Sequence, residues 1–555
     1  MTQEVMTSEI RHDLLSVQEK GLELYTAYHR ERFVERSKRL SDTIHRTNIK
    51  NFQSIHSQKK ADQTSKKGQK KEFSQVQKVL DLARERKYDS KELLKYDLIP
   101  STYLFDSEGL MNKPQKSSLG IELEKTLSAA DYIKPEHWKD MPTVYLIDVM
   151  QQLRKMNVRQ MSTFGDLCDS FFKSILHTSR NASRIDLVFD SYITGSAKDT
   201  ERLRRSRTPA IDLSAITAET PLCVDMDAFW SSNSNKIKLE KLVAQWVIKY
   251  SEEKGLNTMV VLSGMIGEEP VLCQSVKGTN LTMHPDLDTD SEEADVRFIP
   301  HAMHATKGGA DRVVILSNDI DVLVLVLYFW QELHAHGLSE LWVRGGTGDT
   351  TRYIPVHELA PKTGPVSKVL PALHALLYLT SKVGTKPAAL KADPVQYLKD
   401  FGRDPHSDNI EDTFLKAEEY LVQVLKRGTS IKVMDDLRHW MYHHSKSMTV
   451  DNLPPTSHLL RGHILRAFYA THIQIHCLDS QSIDPVLYGF EESDGLLLPS
   501  KNSRVCPDDL IDSCRCLKCA TVHCTCRKSL MPCCLFCKCH SVNSALQDCR
   551  NPYSE

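Results

Sequence analysis

The segment RVVILSNDIDVLVLVLYF (312–329) joins a short apolar run to a pair of aspartates. Its first part, RVVILS (312–317), has the length and composition of a buried strand. Four further runs have the same character: TVYLID (143–148), IDLVFD (185–190), TMVVLSG (258–264) and ELWVRGG (340–346). Helical patterns separate these runs, as at 239–255 and 292–309. Strands that alternate with crossover helices predict an α/β fold, with a parallel sheet covered by helices on both faces.

Composition places the chain among ordinary folded proteins. It has 555 residues, of which 41% are hydrophobic and 26% charged, so wholesale disorder is excluded. The net charge is −1, so any contact with nucleic acid has to come from local basic patches. The residue patterns predict a helical N-terminal region with a Lys-rich linker (1–141), an α/β domain (142–360), a helical extension (361–483), a linker (484–513) and a small cysteine-rich domain (514–550).

Membrane insertion and secretion are not expected. The longest uninterrupted apolar run, Val322–Trp330, has nine residues, whereas a membrane-spanning helix needs about 20. The first residues, MTQEVMTSEIRHDLL, contain no apolar signal core. The Lys-rich segment KKADQTSKKGQKK (59–71) is either a solvated linker or a basic patch for targeting or nucleic-acid binding.

Carboxylates recur near the ends of the predicted strands. Binding sites in parallel α/β sheets form beyond the carboxyl ends of the strands, where acidic residues from different strands can converge. Each carboxylate could instead cap a helix or lie in solvent, but their recurrence at one edge favours a shared site. The candidate residues are Asp148, Asp190, Glu293, Asp295, Asp319 and Asp321, with Glu292 as an alternative partner for Asp295.

A cluster of carboxylates is costly to keep ionised unless a cation joins it, because like charges repel. Hard carboxylate oxygens select Mg²⁺ or Mn²⁺. Two such ions about 4 Å apart suit hydrolysis of a phosphodiester bond, since one generates the attacking hydroxide and both stabilise the oxygens of the displacement. The residues therefore predict metal-dependent cleavage of nucleic acid, with water as the nucleophile.

The order LID, VFD, EEAD and SNDID resembles the nuclease core of the PIN and flap-endonuclease superfamily. That group has an aspartate after strand one, a VFDG-like aspartate, E-A-E at a helix start and D-x-D after a later strand. The resemblance implies a PIN-like fold. It carries the acidic site residues over to Asp148, Asp190, Glu293, Asp295, Asp319 and Asp321. Because residues i and i+2 diverge on a regular helix, either Glu293 or Asp295 should lie at or before the helix N-cap.

A basic segment, KDTERLRRSRT (198–208), follows the second predicted strand. It could grip phosphates beside the acidic site, or it could form a solvated helix face. The basic residues in question are Lys198, Arg202, Arg204, Arg205 and Arg207.

The wider sequence resembles a set of multicopy animal proteins, associated with mobile elements, that join a PIN-like core to a C-terminal cysteine domain. The resemblance covers residues 45–550 and rests on the order of EEADVRFIPHAMHA, SNDIDVLVLVLYF, TRYIPVHELA, LPPTSHLLRGHILRAFYA and DPVLYGFEESDGLLLP. This chain departs from the set at HALLYLTSKVGTK (374–386), where a T-G-C-D-T-T-S-like stretch usually supplies a further aspartate. Because the missing aspartate could be a metal ligand, a protein without catalytic activity is an alternative.

Ten of the 15 cysteines fall between Cys514 and Cys549, which in a reducing compartment indicates metal binding rather than disulfides. Cysteines with a single residue between them are too close together for two separate zinc fingers. They suit one cluster in which some thiolates bridge two metal ions. Nine thiolates satisfy three tetrahedral zinc ions when three of the thiolates each bridge two ions. The segment has few apolar side chains, so metal has to supply its folding energy. The predicted ligands are Cys514, Cys516, Cys519, Cys524, Cys526, Cys533, Cys537, Cys539 and Cys549, with Cys534 left over.

The segment CRCLKCATVHCTCRKSLMPCCLFCKC (514–539) resembles the tesmin-type CXC domain, including its basic pair Arg527–Lys528. The resemblance implies three zinc ions and binding to DNA. The chain departs from the family in the gap between its second and third cysteines, in His523, where an aromatic residue is usual, and in the long gap before the last cysteine. His540 could replace that last cysteine as a ligand.

The charge of this cysteine domain is modest. Residues 513–550 contain six Lys or Arg and one Asp. Nine thiolates and three Zn²⁺ together contribute −3, which leaves a net charge of about +2. DNA affinity from this domain alone is therefore expected to be weak and sensitive to salt. A zinc module that binds proteins and a redox-active tail are the alternatives.

Together these features predict a nuclear protein with a PIN-like nuclease domain and a zinc-cluster tail that helps to place it on DNA. One alternative is a catalytically inactive DNA-binding or chromatin-associated protein with a relic nuclease fold. A structural protein that binds other proteins is the other. No membrane partner is expected.

Overall fold

The computed structural model divides into two compact units, Met1–Lys87 with Leu510–Glu555, and Tyr88–Asp509. The Lys-rich segment 59–71 lies outside the described residues, and so do Arg202, Arg204, Arg205 and Arg207. The described residues are 16–38, 79–98, 112, 117–193, 195–199, 211–223, 225–264, 272–289, 291–346, 348–377, 386–444, 450–479, 481–500, 504, 506–507, 510, 513–516, 518–533, 537–541 and 549–554.

The larger unit contains an eight-stranded sheet. Its strands are β1 (Thr143–Asp148), β2 (Arg184–Val188), β3 (Met259–Ser263), β4 (Cys273–Lys277), β5 (Asn280–Met283), β6 (Arg312–Leu316), β7 (Glu340–Gly345) and β8 (Arg352–Pro355). Their spatial order is β5-β4-β3-β2-β1-β6-β7-β8. The five central strands are parallel, whereas β4, β5 and β8 pair antiparallel at the two sides. The structure is an α/β protein, as the sequence predicts.

Helices pack on both faces of this sheet. The α-helices of the two units include α1 (Val17–His29), α2 (Ser90–Leu93), α3 (Ser117–Glu124), α4 (Val149–Lys155), α5 (Phe164–Thr178), α6 (Met226–Trp230), α7 (Asn233–Lys254), α8 (Ala294–Lys307), α9 (Ile320–Ala335), α10 (Val356–Thr363), α11 (Leu370–Leu376), α12 (Lys386–Lys391), α13 (Pro394–Leu398), α14 (Ile410–Leu425), α15 (Met434–His444), α16 (Ser457–Ile475), α17 (Thr525–Lys528) and α18 (Lys538–Ser541), of which α1, α17 and α18 belong to the smaller unit.

Side chains alternate along the central strands and form two separate apolar cores. On β1, Tyr145 and Ile147 join a core with α4, α5 and α7. Val144 and Leu146 point the other way, into a core that includes α8, α9, α14 and α16. The helices of 361–483 therefore share a core with one face of the sheet.

The chain reverses direction across the sheet at β1. It runs from β1 outward to β2 and β3, and it returns to the other side of β1 with β6 and β7. Such a reversal is a topological switch point, where the crossovers leave a crevice at the carboxyl ends of the strands. Asp148 lies opposite Val188 of β2, and Ile147 lies opposite Leu316 of β6. The residues that follow these three strands therefore emerge side by side.

A second, two-stranded sheet lies in the predicted linker 484–513. Its strands, β9 (Phe490–Ser493) and β10 (Leu496–Pro499), pair antiparallel. The smaller unit contains α1 and the cysteine tail with α17 and α18. In the described part of the chain, no helix combines the length and the apolar character that crossing a membrane requires.

Candidate functional site

Two of the predicted acidic residues are held by helix capping. Asp148 ends β1, and its carboxylate accepts a hydrogen bond from the Gln151 N–H at 2.8 Å, which caps α4. Asp319 follows β6, and its carboxylate accepts from the Asp321 N–H at 3.1 Å, which caps α9. Capping fixes both side chains, because the first N–H groups of a helix otherwise lack partners. Both carboxylates are thus held at the carboxyl end of the parallel strands.

Asp190, Glu293 and Asp295 lie beside them. The Asp190 Oδ1 accepts a hydrogen bond from the Ala294 N–H at 3.2 Å, which joins the end of β2 to the start of α8. Glu293 is the N-cap residue of α8, and Asp295 lies in its first turn. The expectation that one member of this pair lies at the N-cap is therefore confirmed.

The carboxylates act on one another across this edge. Burial, followed by the charges of Asp190 and Asp319, raises the pKa of Asp148 to about 7. Burial, together with Asp319 and Asp321, holds the pKa of Asp295 well above its ordinary value. Mutual shifts of this kind arise when like charges lie close together. The structure therefore brings the six predicted carboxylates, from four separate stretches of sequence, to one edge of the sheet.

Lys198 lies inside the acidic cluster. Its Nζ is 2.7 Å from a Glu293 carboxylate oxygen, and its side chain is 29% exposed. Burial lowers the pKa of Lys198, but Glu293, Asp190 and Asp295 outweigh burial and raise it. Lys198 belongs to the basic segment for which phosphate contacts are predicted. The structure pairs it with a carboxylate, so it neutralises part of the cluster.

His374 is a member of the site that the sequence analysis does not identify. Its Nδ1 lies 3.1 Å from the Asp321 Oδ1, and the two side chains are only 7% and 9% exposed. His374 lies on α11 and is the first residue of the segment HALLYLTSKVGTK (374–386). Of that segment, 378–385 lie outside the described residues. The only signal in the sequence is one ionisable residue within an apolar helix, LPALHAL.

The cysteine tail gathers its thiols into one cluster. Seven of the nine predicted ligands are buried, and Cys516 and Cys549 are half-buried. Their sulfur atoms form overlapping groups of four, each within 4.8 Å of the others. Among these groups are Cys514–Cys524–Cys526–Cys533, Cys514–Cys533–Cys537–Cys539, Cys514–Cys516–Cys519–Cys524 and Cys519–Cys533–Cys539–Cys549. Together the four groups contain all nine predicted ligands.

The spacing of the thiols suits a tetrahedral metal ion. The Sγ of Cys514 lies 3.4 Å from that of Cys519 and 3.8 Å from that of Cys533, and the sulfurs of Cys526 and Cys537 are 3.4 Å apart. Zinc–sulfur bonds of about 2.3 Å place the ligands of a tetrahedral zinc ion about 3.8 Å apart. All described cysteines are free thiols. The tail could therefore hold zinc.

The other predicted residues of the tail have different environments. The Arg527 guanidinium donates to the Ala520 carbonyl at 2.6 Å, so it is used within the tail, whereas Lys528 is exposed. Cys534 and the His540 side chain lie outside the described residues. Arg86, which the sequence analysis does not identify, is buried and places a guanidinium nitrogen 3.8 Å from the Cys526 sulfur.

A further group of metal-binding residue types lies near the start of β2. His284, Asp286 and His304 each place one ligand atom within 4.8 Å of the others. However, an Arg184 guanidinium nitrogen lies 2.6 Å from the His304 Nδ1, and since Arg can only donate, that Nδ1 accepts and Nε2 carries the proton. The Nε2 faces an Asp286 oxygen at 3.1 Å. This group therefore serves as a hydrogen-bond network around Arg184, because no His304 lone pair is left for a metal.

Comparison of the chain with protein-family models and with curated proteins gives no match.

Proposed function

We propose that the protein is a metal-dependent phosphodiester hydrolase of nucleic acid, with a PIN-like nuclease domain. The observation that carries this proposal is the convergence of carboxylates from β1, β2, α8 and α9 at the topological switch point. Hard divalent cations prefer such oxygen donors. Burying like charges without a cation costs free energy, and a bound divalent cation would offset this cost.

The chain's own residues can be assigned roles on this proposal. Asp148, Asp190, Asp319 and Asp321 would hold Mg²⁺ or Mn²⁺, and Glu293 and Asp295 would complete the site. Such ions, when bound, supply Lewis acidity and a water nucleophile at neutral pH. The capping hydrogen bonds fix two of the carboxylates before any ligand arrives, which favours ordered coordination.

Lys198 has a separate role. It already lies against Glu293, within reach of the charges of two aspartates. An ammonium group at this position can donate to a non-bridging phosphate oxygen when a nucleic-acid strand enters the crevice. Lys198 would thereby exchange a carboxylate partner for a phosphate one.

The test is cleavage of labelled DNA and RNA by the full chain with Mn²⁺. We expect Asp319→Asn to abolish cleavage while the fold is kept, because Asn caps a helix about as well as Asp. The control is Asp169→Asn, which removes a surface carboxylate that pairs with Lys173 at 2.7 Å. Cleavage that survives Asp319→Asn at the wild-type rate would remove the catalytic proposal.

We propose that the nine tail thiolates hold three zinc ions and that the tail binds DNA in the nucleus. The overlapping groups of sulfur atoms support this stoichiometry, since shared thiolates let nine ligands fill twelve coordination positions. Elemental analysis of the purified chain should find three zinc ions per molecule. Cys514→Ser should lower that number, and Cys223→Ser, outside the tail, should not.

The second candidate is a DNA-binding or chromatin-associated protein without catalysis. Its support is that Lys198 already pairs with Glu293, and that the His374 ring contacts Asp321, from within the chain. In this second candidate, the acidic residues are the remnant of a nuclease site, and the contacts with Lys198 and His374 stabilise them. Calorimetric titration discriminates between the two candidates, because only the hydrolase should bind Mn²⁺ in a way that Asp319→Asn removes.

A further inference from the structure

A cavity of about 330 Å³ lies beside the acidic cluster, at the carboxyl ends of β6 and β7. One wall comes from α4 and α5, and the other comes from the ends of the two strands and the turn after β7. Cavities of this size hold small ligands or single units of a polymer. The residues that matter for its chemistry are Lys155, Arg344, Asn318, Phe171, Ile175 and Met156.

The cavity adjoins the acidic site. Leu316 and Asn318 line it, and Asp319 of the cluster is the next residue. The Gln151 side chain links the two places, because its Oε1 accepts from the Asn318 N–H at 2.9 Å and from the Lys155 Nζ at 3.0 Å. A ligand in the cavity would therefore lie next to the acidic site.

Two cations, Lys155 and Arg344, line the cavity, and neither makes an ion pair with a carboxylate within the described residues. In the described part of the chain, Arg344 makes no ion pair, and its Nε is buried without a hydrogen-bond partner. Lys155 has only the neutral Gln151 as its hydrogen-bond partner there. Burial, and next the charge of Arg344, lower the pKa of Lys155, while the charge of Asp148 at the acidic site opposes them. Two facing cations of which one nitrogen is buried and unpaired are the arrangement that an anion stabilises.

The part of the cavity that α5 and Met156 form is mainly apolar. Phe171 and Ile175 of α5 are buried, and Met156 follows α4. Ser174 and Thr178, one turn apart on α5, add hydroxyl groups at the rim. A ligand with an anionic end, a polar middle and a flat apolar part would match the cations, the hydroxyls and this wall in turn.

We propose that this cavity binds one nucleotide of the nucleic-acid strand, with its phosphate on Lys155 and Arg344 and its base against the apolar wall. This inference rests on the proposed hydrolase function and names the subsite that would hold the strand beside the reacting phosphate. The ligand class is a nucleoside monophosphate, free or at the end of a strand. Phosphate alone would use only the cationic side, and a nucleoside alone only the apolar side.

The test is calorimetric titration of the full chain with adenosine 5′-monophosphate, without added Mg²⁺ or Mn²⁺. We expect the monophosphate to bind at least tenfold more tightly than either inorganic phosphate or adenosine. Arg344→Gln and Lys155→Gln should each weaken its binding about tenfold, because each removes one charge-assisted contact. Arg159→Gln, which changes a nearby exposed arginine, should leave the affinity unchanged.

Lys155 is exposed, so Lys155→Gln keeps the test available even where Arg344→Gln lowers the yield of folded protein. Equal affinity for adenosine and its monophosphate would overturn the inference, and so would a Lys155→Gln affinity equal to that of the wild type. The two proposals also fail separately. Monophosphate binding with the expected pattern, without cleavage, would refute only the hydrolase. Cleavage that depends on Asp319, without monophosphate binding, would refute only the subsite.

Discussion

At the scale of single residues, the structure separates two uses of buried charge. At the carboxyl ends of the strands, acids lie together, and burial and the neighbouring acids raise the pKa of Asp148. Near the start of β2, opposite charges are matched: Arg184 contacts both carboxylate oxygens of Asp186 at 2.6 Å, and His301 contacts one at 2.7 Å. A bound cation would stabilise the first arrangement, whereas the second needs no ligand because its groups already pair with one another.

Asp186→Asn should therefore be strongly destabilising. The Asp186 side chain is fully buried, and removing its charge leaves Arg184 without a counter-ion in the core. Breaking a buried pair from one side costs about 3–5 kcal/mol of unfolding free energy. Denaturant unfolding followed by circular dichroism measures the loss. Asp169→Asn on the surface should change stability by less than about 0.5 kcal/mol, and equal effects of the two variants would contradict the prediction.

The same carboxylate predicts a dependence of stability on pH. Burial alone would raise the pKa of Asp186, but Arg184 and His301 lower it below its ordinary value. A lowered folded-state pKa adds stability above the unfolded-state pKa of about 4, and this stability is lost as the pH falls through the folded-state value. The difference in unfolding free energy between wild type and Asp186→Asn should therefore be constant at neutral pH and shrink below about pH 4. A difference that grows in acid would be incompatible with this sign.

At the scale of elements, periodicity predicts the parallel strands closely because each is buried on both faces. TVYLID coincides with β1, and RVVILS exceeds β6 by one residue. Periodicity does not predict the antiparallel strands β4, β5 and β8. The side chains of β5 are all exposed, and NLTM has only four residues, so its pattern is too short to predict a strand. The acids are predictable because they follow apolar strands, whereas His374 comes from a helix that only the fold brings near.

The turn between β7 and β8 offers an element-scale test. Gly346 has φ of +82°, and a Cβ there would lie 2.1 Å from the Thr350 carbonyl oxygen. Gly348 also has positive φ, at +54°, but its Cβ position is open. Gly346→Ala should thus cost clearly more than about 1 kcal/mol of unfolding free energy, and Gly348→Ala no more than about that. Thermal unfolding of the two variants compares them, and equal melting temperatures would show that the close contact does not govern the turn.

At the scale of the whole molecule, the two compact units have different sources of stability. Both large apolar cores lie within 119–488 of the larger unit. The smaller unit gathers buried cysteines where a core would be. The spacing of the cysteines is enough to predict the metal ligands from the sequence. The contact of Arg86 with Cys526 is not predictable in this way, because 440 residues separate the two and no local pattern joins them.

Removal of metal should therefore affect one unit only. We expect a zinc chelator to make 510–555 sensitive to protease while 88–509 stays protected, because only the first region lacks an apolar core. Limited proteolysis with mass spectrometry of the fragments gives the readout, and added zinc should restore protection. Loss of both regions together at the same chelator concentration would contradict separate sources of stability.

Cys514 and Cys533 each belong to three of the four sulfur groups, so no metal position can be completed in isolation. The first ion to arrive orders thiols that the next ones also need, which makes each later ion bind more readily than the one before. Loading should consequently be cooperative, with empty and full tails coexisting in native mass spectra and few molecules in between. In a cell where zinc is scarce, such a tail would respond to a small change in supply as a threshold rather than in proportion.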